Sequence, residues 1–137
     1  MTNETQTLVI EKEFAHSPEK LWRALTQPHL IKEWLMENDF EPKVGHDFKL
    51  RVQTPQWNGV IDCKVLEIEP QKKLSYDWNS MGLDTVVTFT LTPTANGVQL
   101  RVEQSGFKAE HARNFQGAKF GWQNFLGKLE QLLAKTE

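Results

Sequence analysis

One cysteine and one tyrosine stand among 137 residues, and neither sign of charge is in surplus. The single cysteine, Cys63, excludes an internal disulfide and any zinc cluster built on cysteines. Lys and Arg number 16 against 18 Asp and Glu, a formal net charge of −2. Nucleic-acid binders usually carry a basic excess, and polybasic membrane-surface binders always do, so both classes are set aside. No apolar run approaches the roughly 18–20 residues of a membrane span. The opening MTNETQTLVI has no basic stretch followed by an apolar one, so no signal peptide is expected. The phosphate-cradling glycine motifs, Gly-x-Ser-x-Gly and His-Glu-x-x-His are all missing. The expectation is a soluble cytoplasmic domain, single over residues 1–137, with no cofactor, no metal and no catalytic constellation.

What is present is ring-rich: five Trp and eight Phe. Such residues fill cores, and they also line pockets for flat or greasy ligands. After six residues without apolar periodicity, expected to fray, Thr7–Phe14 reads as a strand with Leu8, Ile10 and Phe14 on one face and Lys12 interrupting them. Ser17-Pro18 reads as an N-cap followed by proline in the first helical position. Leu21, Trp22 and Leu25 give a short apolar stripe, and Pro28 closes that helix and opens another carrying Leu30, Ile31, Trp34 and Leu35.

From Asp39 the period becomes two. Phe48, Leu50 and Val52 alternate with polar neighbours, Thr54–Gly59 reads as a turn, and Val60–Ile68 is a second strand closed by Pro70. Leu74, Tyr76 and Trp78 follow, then a turn at Ser80-Met81-Gly82. Val87, Phe89 and Leu91, a turn at Thr94–Gly97, and Val98, Leu100 and Val102 complete an antiparallel meander with one apolar face. Its cover is Lys108–Lys135, where Phe115, Ala118, Trp122, Phe125, Leu129 and Leu132 form a continuous helical stripe.

This order, strand, two short helices, meander and long terminal helix, resembles the α+β helix-grip fold of the START and Bet v 1 superfamily, a curved antiparallel sheet around a long C-terminal helix. The run Phe14-Ala15-His16-Ser17-Pro18-Glu19-Lys20-Leu21-Trp22-Arg23-Ala24-Leu25-Thr26-Gln27-Pro28 resembles the opening of the AHSA1-like (activator of Hsp90 ATPase homologue) family of the SRPBCC branch. Trp34, the hairpin from Gly59 to Pro70 with Lys73-Leu74-Ser75-Tyr76-Asp77-Trp78, Gly97-Val98-Gln99-Leu100, Ser105-Gly106-Phe107, and Gly121-Trp122 with Leu126, Leu129 and Leu132 extend the likeness over nearly the whole chain. The resemblance implies a cavity between sheet and helix that takes small lipophilic molecules. A shared fold does not by itself fix an activity.

On that implication the ligand-binding set is Trp34, Met36, Phe48, Leu50, Trp78, Phe89, Phe115, Ala118 and Trp122. Trp34 is expected at the mouth, with Met36 and Met81 as adaptable edges. The plainer reading of each ring is core filling. Gly117, Gly121 and Gly127 each cost a helix about 1 kcal/mol relative to Ala. They read either as room for a ligand or a bend, or as close helix–sheet approach. His16, His29, His46 and His111 lack metal-ligand spacing, and only His111, one turn ahead of Phe115, could reach a cavity mouth. Cys63 reads as a buried inert thiol. Asp62 and Lys64 share a strand face and are read as outward, with Arg51 or Asp77 as ion partners, because unpaired buried charge is expensive.

The function expected from the resemblance is binding of a small hydrophobic ligand: a lipid, polyketide or flavonoid-like molecule. The alternatives are a cyclase or hydrolase acting on such a ligand, and an Hsp90-type chaperone-associated interaction domain. A homodimer is the common default for such a domain.

Overall fold

The computed structural model describes residues 5–53, 58–80, 83–108, 110 and 112–135. The chain runs β1 (Thr5–Phe14), α1 (Pro18–Thr26), α2 (Pro28–Trp34), β2 (Glu37–Asn38), β3 (Asp47–Gln53), β4 (Asn58–Glu69), β5 (Lys73–Ser80), β6 (Leu83–Thr94), β7 (Gly97–Lys108) and α3 (Ala112–Lys135). The seven strands form one antiparallel sheet in the order β1-β7-β6-β5-β4-β3-β2. A long helix, two short helices after the first strand and this sheet are the helix-grip architecture expected from the sequence.

Local chemistry explains the element ends. Ser17 caps α1 by accepting the Lys20 amide at 3.1 Å, with proline next in line. Pro28 lacks an N–H, so α1 stops and α2 starts at the same point. The first strand begins earlier than expected: Thr5 and Gln6 pair with Lys108 and Phe107. A register shift between Gln6 and Thr7 lies opposite Gly106, whose φ of +108° suits glycine, and a Cβ there would meet the Asp84 carbonyl at 2.8 Å. The anticipated turn residues 54–57, and Met81, Gly82 and His111, lie outside the described residues.

Alternation decides the two sheet faces. Leu74, Tyr76, Val87, Phe89, Leu91, Val98, Leu100 and Val102 all point inward and are buried. On β4 the inward set is Ile61, Cys63 and Val65, which leaves Val60 and Leu66 exposed. The pairing of β4 with β5 slips between Val65 and Glu67, so Leu66 is an extra residue and Ile68 returns to the inner face opposite Leu74. Asp62 and Lys64 are outward as expected. Lys49 pairs with Asp62, Lys64 lies 3.9 Å from Asp47, and the Lys64 amide donates to the Asp77 carboxylate.

Lys12, the charge interrupting the apolar face of β1, reaches Glu130 of α3 at 3.5 Å. Both groups are half in water, so this pair contributes well under about 1 kcal/mol. Helix α3 covers the inner face unevenly. Trp122, Leu126, Leu129, Leu132 and Leu133 are buried, whereas Phe115 and Ala118 are only half-buried and Phe120 is exposed. The stripe expected to seal over its whole length seals over the C-terminal half.

Candidate functional site

A seam of rings crosses the interior. Phe40 meets Phe48 at 5.1 Å, Phe48 meets Tyr76 at 5.0 Å, Tyr76 meets Phe89 at 5.7 Å, and Phe89 meets Trp122 at 5.8 Å. Trp122 then touches Trp78 at 5.5 Å and Phe125 at 5.7 Å. Most contacts are edge-to-face or tilted, the arrangement that ring quadrupoles favour. Six of the nine expected ligand residues fall on or beside this seam, but not in one environment.

Phe48 and Leu50 belong to the closed end, buried with Phe40 and Tyr76 between β3, β4 and β5. Trp34 is not at a mouth. It is 1% exposed, packs edge-on against Phe89 at 6.4 Å, and gives its indole N–H to the Ala24 carbonyl at 2.8 Å. Met36 is half-buried against the core. At the other end, Trp78 and Phe125 are half-buried and flank the buried Trp122, and Phe115 packs on Phe107 at 5.3 Å. Ala118 and Leu83 are also half-buried there.

The helix glycines separate their two readings here. A Cβ on Gly117 or Gly127 would meet nothing within 4 Å, and one on Gly121 would meet only Phe125 at 3.9 Å. Close approach to the sheet therefore does not require them.

A buried polar chain was not anticipated. The Trp122 indole N–H donates to Gln104 Oε1 at 2.9 Å, Gln104 Nε2 donates to the Thr85 hydroxyl at 2.9 Å, and Thr85 donates to the Trp78 carbonyl at 2.8 Å. Thr85 and Gln104 are 2% and 3% exposed, so both are effectively removed from water. A signal existed in the sequence. Thr85 continues the parity of Val87 and Phe89, and Gln104 that of Leu100 and Val102, so both are polar residues on an apolar face.

Two titratable groups sit in the closed end. Burial pushes the Cys63 thiol far up, helped by the carboxylates of Asp77, Asp62 and Asp39. Burial likewise raises the Tyr76 phenol well above its usual range. Both are held neutral, which makes them poor nucleophiles or bases. His46 stacks on Phe48 and bonds the Asp39 carbonyl through Nε2 at 3.0 Å, while His16 Nδ1 lies 3.3 Å from Lys20 Nζ. Among the described residues no group of three His, Cys, Asp or Glu is placed to hold a metal. No helix of the described residues is long and apolar enough to cross a membrane. A cleft is lined by Asp77, Asn79, Asp84, Thr85, Val86, Ser105 and Gly106, two of them carboxylates.

The sequence profile of the family described as activator of Hsp90 ATPase homolog 1-like protein matches residues 15–134. Protein MLL2253 of Mesorhizobium loti is 54% identical, with a TM-score of 0.88 over 96% of this chain and 99% of that one. Protein BH1534 of Bacillus halodurans is 29% identical, with a TM-score of 0.80 over 93% and 96%. Protein CV1439 of Chromobacterium violaceum, at 22% identity, a TM-score of 0.84 and 95% and 98% coverage, shares the fold. No curated protein matches the chain.

Proposed function

The chain belongs to the activator of Hsp90 ATPase homolog 1-like family, and from that premise we propose that it binds a small hydrophobic molecule between the sheet and the N-terminal half of α3. Ligands of the lipid, polyketide and flavonoid-like classes share the required chemistry. The observation that carries this reading is the pair Trp78 and Phe125. Both rings are only half-buried, both seat on the buried Trp122, and a Cβ on Gly121 would meet only Phe125, at 3.9 Å. Apolar walls with a few fixed polar groups are the usual make-up of a small-molecule site. The binding surface is Trp78, Phe115, Ala118, Trp122 and Phe125. Trp34, Phe48 and Leu50 support it from behind.

Titration with palmitate, naringenin and 1,8-dihydroxyanthraquinone, followed by the indole N–H resonances, tests the reading. The Trp78 and Trp122 signals are expected to move and that of Trp34 to stay. Gly121→Leu, which adds bulk beside Phe125 and favours the helix, should keep the fold and weaken binding at least about tenfold. Dissociation constants no tighter than millimolar across the panel would overturn it.

A further inference from the structure

We propose that the cleft where α1, α2 and the C-terminal end of α3 meet binds a small organic carboxylate with a compact apolar body. The cleft holds about 180 Å³, and Arg23 and His29 on its rim are exposed, so solutes reach it from water. None of Trp78, Phe115, Trp122 and Phe125 lines it, so it is a second site and does not rest on the one proposed above. Four polar side chains line it: Lys20 and Arg23 from α1, Gln27 between the short helices, and His29 from α2. No carboxylate does. Its floor is apolar, made by the buried Leu132 and Leu133 of α3 and the half-buried Leu30 of α2.

Local structure leaves these donors largely unspent. Gln27 stands at the N-cap of α2, yet its side chain caps nothing. Among the described residues neither the Gln27 amide nor the His29 ring has a hydrogen-bond or ion partner. Lys20 Nζ carries three protons and meets one acceptor, His16 Nδ1 at 3.3 Å. A guanidinium has five N–H groups, so Arg23 can hold another group and an anion together. Orphaned carbonyls do not call for the donors either. The Arg23 carbonyl accepts the Gln27 amide at 2.9 Å, that of Ala24 accepts the Trp34 indole, and that of Gln27 accepts the Leu30 and Ile31 amides, both at 2.9 Å. Lys20 and His29 stand in the first turns of α1 and α2, where the helix dipole favours acids over bases. A carboxylate accepts from several donors at once and gains most from charged ones. The apolar floor then takes the body of the molecule. The volume is below the roughly 300–1,000 Å³ of sites for drug-sized molecules, so an aromatic or branched acid fits and a long acyl chain does not.

The test compares benzoate with benzamide, which has the same shape without the charge, and with acetate, which has the charge without the ring. Binding is followed on the wild-type protein by the methyl resonances of Leu30, Leu132 and Leu133. Benzoate should move them and bind at least about tenfold more tightly than either of the others. The indole signals of Trp78 and Trp122 should stay. Raising sodium chloride from about 20 to about 500 mM should weaken benzoate severalfold and leave benzamide unchanged. Lys20→Gln and His29→Ala, both near the surface, should keep the native circular dichroism and each weaken benzoate about three- to tenfold. Benzamide or acetate binding as well as benzoate, benzoate no tighter than about 10 mM, or shifts centred on the Trp78 and Trp122 indoles would overturn the proposal. So would benzoate affinity unchanged in both variants. Each of these outcomes leaves the hydrophobic-ligand reading to its own titration.

Discussion

The indole N–H of Trp34 donates to the carbonyl of Ala24 at 2.8 Å in the sealed space beneath α1 and α2. In an unbroken helix that carbonyl would accept from the residue four positions on. That residue is Pro28, which has no N–H to give. Trp34 therefore satisfies the backbone group that the proline orphans, and this requirement, rather than a ligand, fixes its place. Trp34→Phe should cost about 1–3 kcal/mol in urea unfolding, the penalty for a buried acceptor left unpaired. It should leave probe binding unchanged. A loss of binding larger than the loss of stability would place Trp34 in the site after all.

Trp122 and Gln104 are expected to behave as a unit. Trp122→Phe strips the donor from Gln104 Oε1, and Gln104→Leu strips the acceptor from the indole. Each leaves a buried polar atom without its partner, so each should destabilise by about 2–4 kcal/mol with the packing loss included. The double variant removes both atoms together. Its cost should fall short of the summed single costs by about 1 kcal/mol or more. Strict additivity in the same denaturant titrations would mean that the bond carries no weight of its own.

The strands and helices were legible because their periods are clean, and the places where reading failed are those where period alone carries no information. On β4, Val60 and Leu66 share the parity of Asp62 and Lys64, so alternation gives two contradictory inner faces. The extra residue at Leu66 and the ring-filled neighbourhood of Cys63 resolve it. The two-residue β2 is too short to show a period. Trp34 lies on the apolar stripe that spacing assigns it, yet its exposure depends on Ala24 and Pro28, which no stripe reveals. Gln104 and Thr85 were readable as polar residues in apolar register. What pattern could not show was that they meet each other across β6 and β7 and reach an indole on α3.

Glycines in this chain should divide by sign when replaced with alanine. At Gly97 a Cβ would stand 2.0 Å from the Phe14 carbonyl oxygen and 2.9 Å from the His16 amide, both of them backbone. Strand β7 would have to leave β1 to admit it, so Gly97→Ala should lose several kcal/mol or fail to fold. At Gly117 and Gly127 a Cβ meets nothing, and alanine is the better helix former by about 1 kcal/mol. Gly117→Ala and Gly127→Ala should each raise the unfolding midpoint. A midpoint lowered by either would show that the helix needs freedom there.

Alkaline pH should weaken the fold through two groups that can each be watched alone, since the chain has one tyrosine and one cysteine. Both are raised by burial: Cys63 from an ordinary value of 9.0 and Tyr76 from 10.0. Below about pH 8 both largely keep their protons in the folded and the unfolded chain, so neither makes stability depend strongly on pH. Above it the unfolded chain releases them while the folded chain holds them. The folded state then binds more protons, and stability falls as pH rises. The tyrosinate absorbance band should accordingly appear together with loss of secondary structure rather than before it. A disulfide reagent should label Cys63 slowly in the native protein at pH 8 and rapidly in urea. The combined variant Tyr76→Phe, Cys63→Ala starts from lower stability because a thiol and a hydroxyl are lost from a packed site, but it should lose less of that stability between pH 8 and pH 10.5. Tyrosinate forming in a chain whose circular dichroism is still native would mean that the ring seam at Phe40, Phe48 and Phe89 admits water.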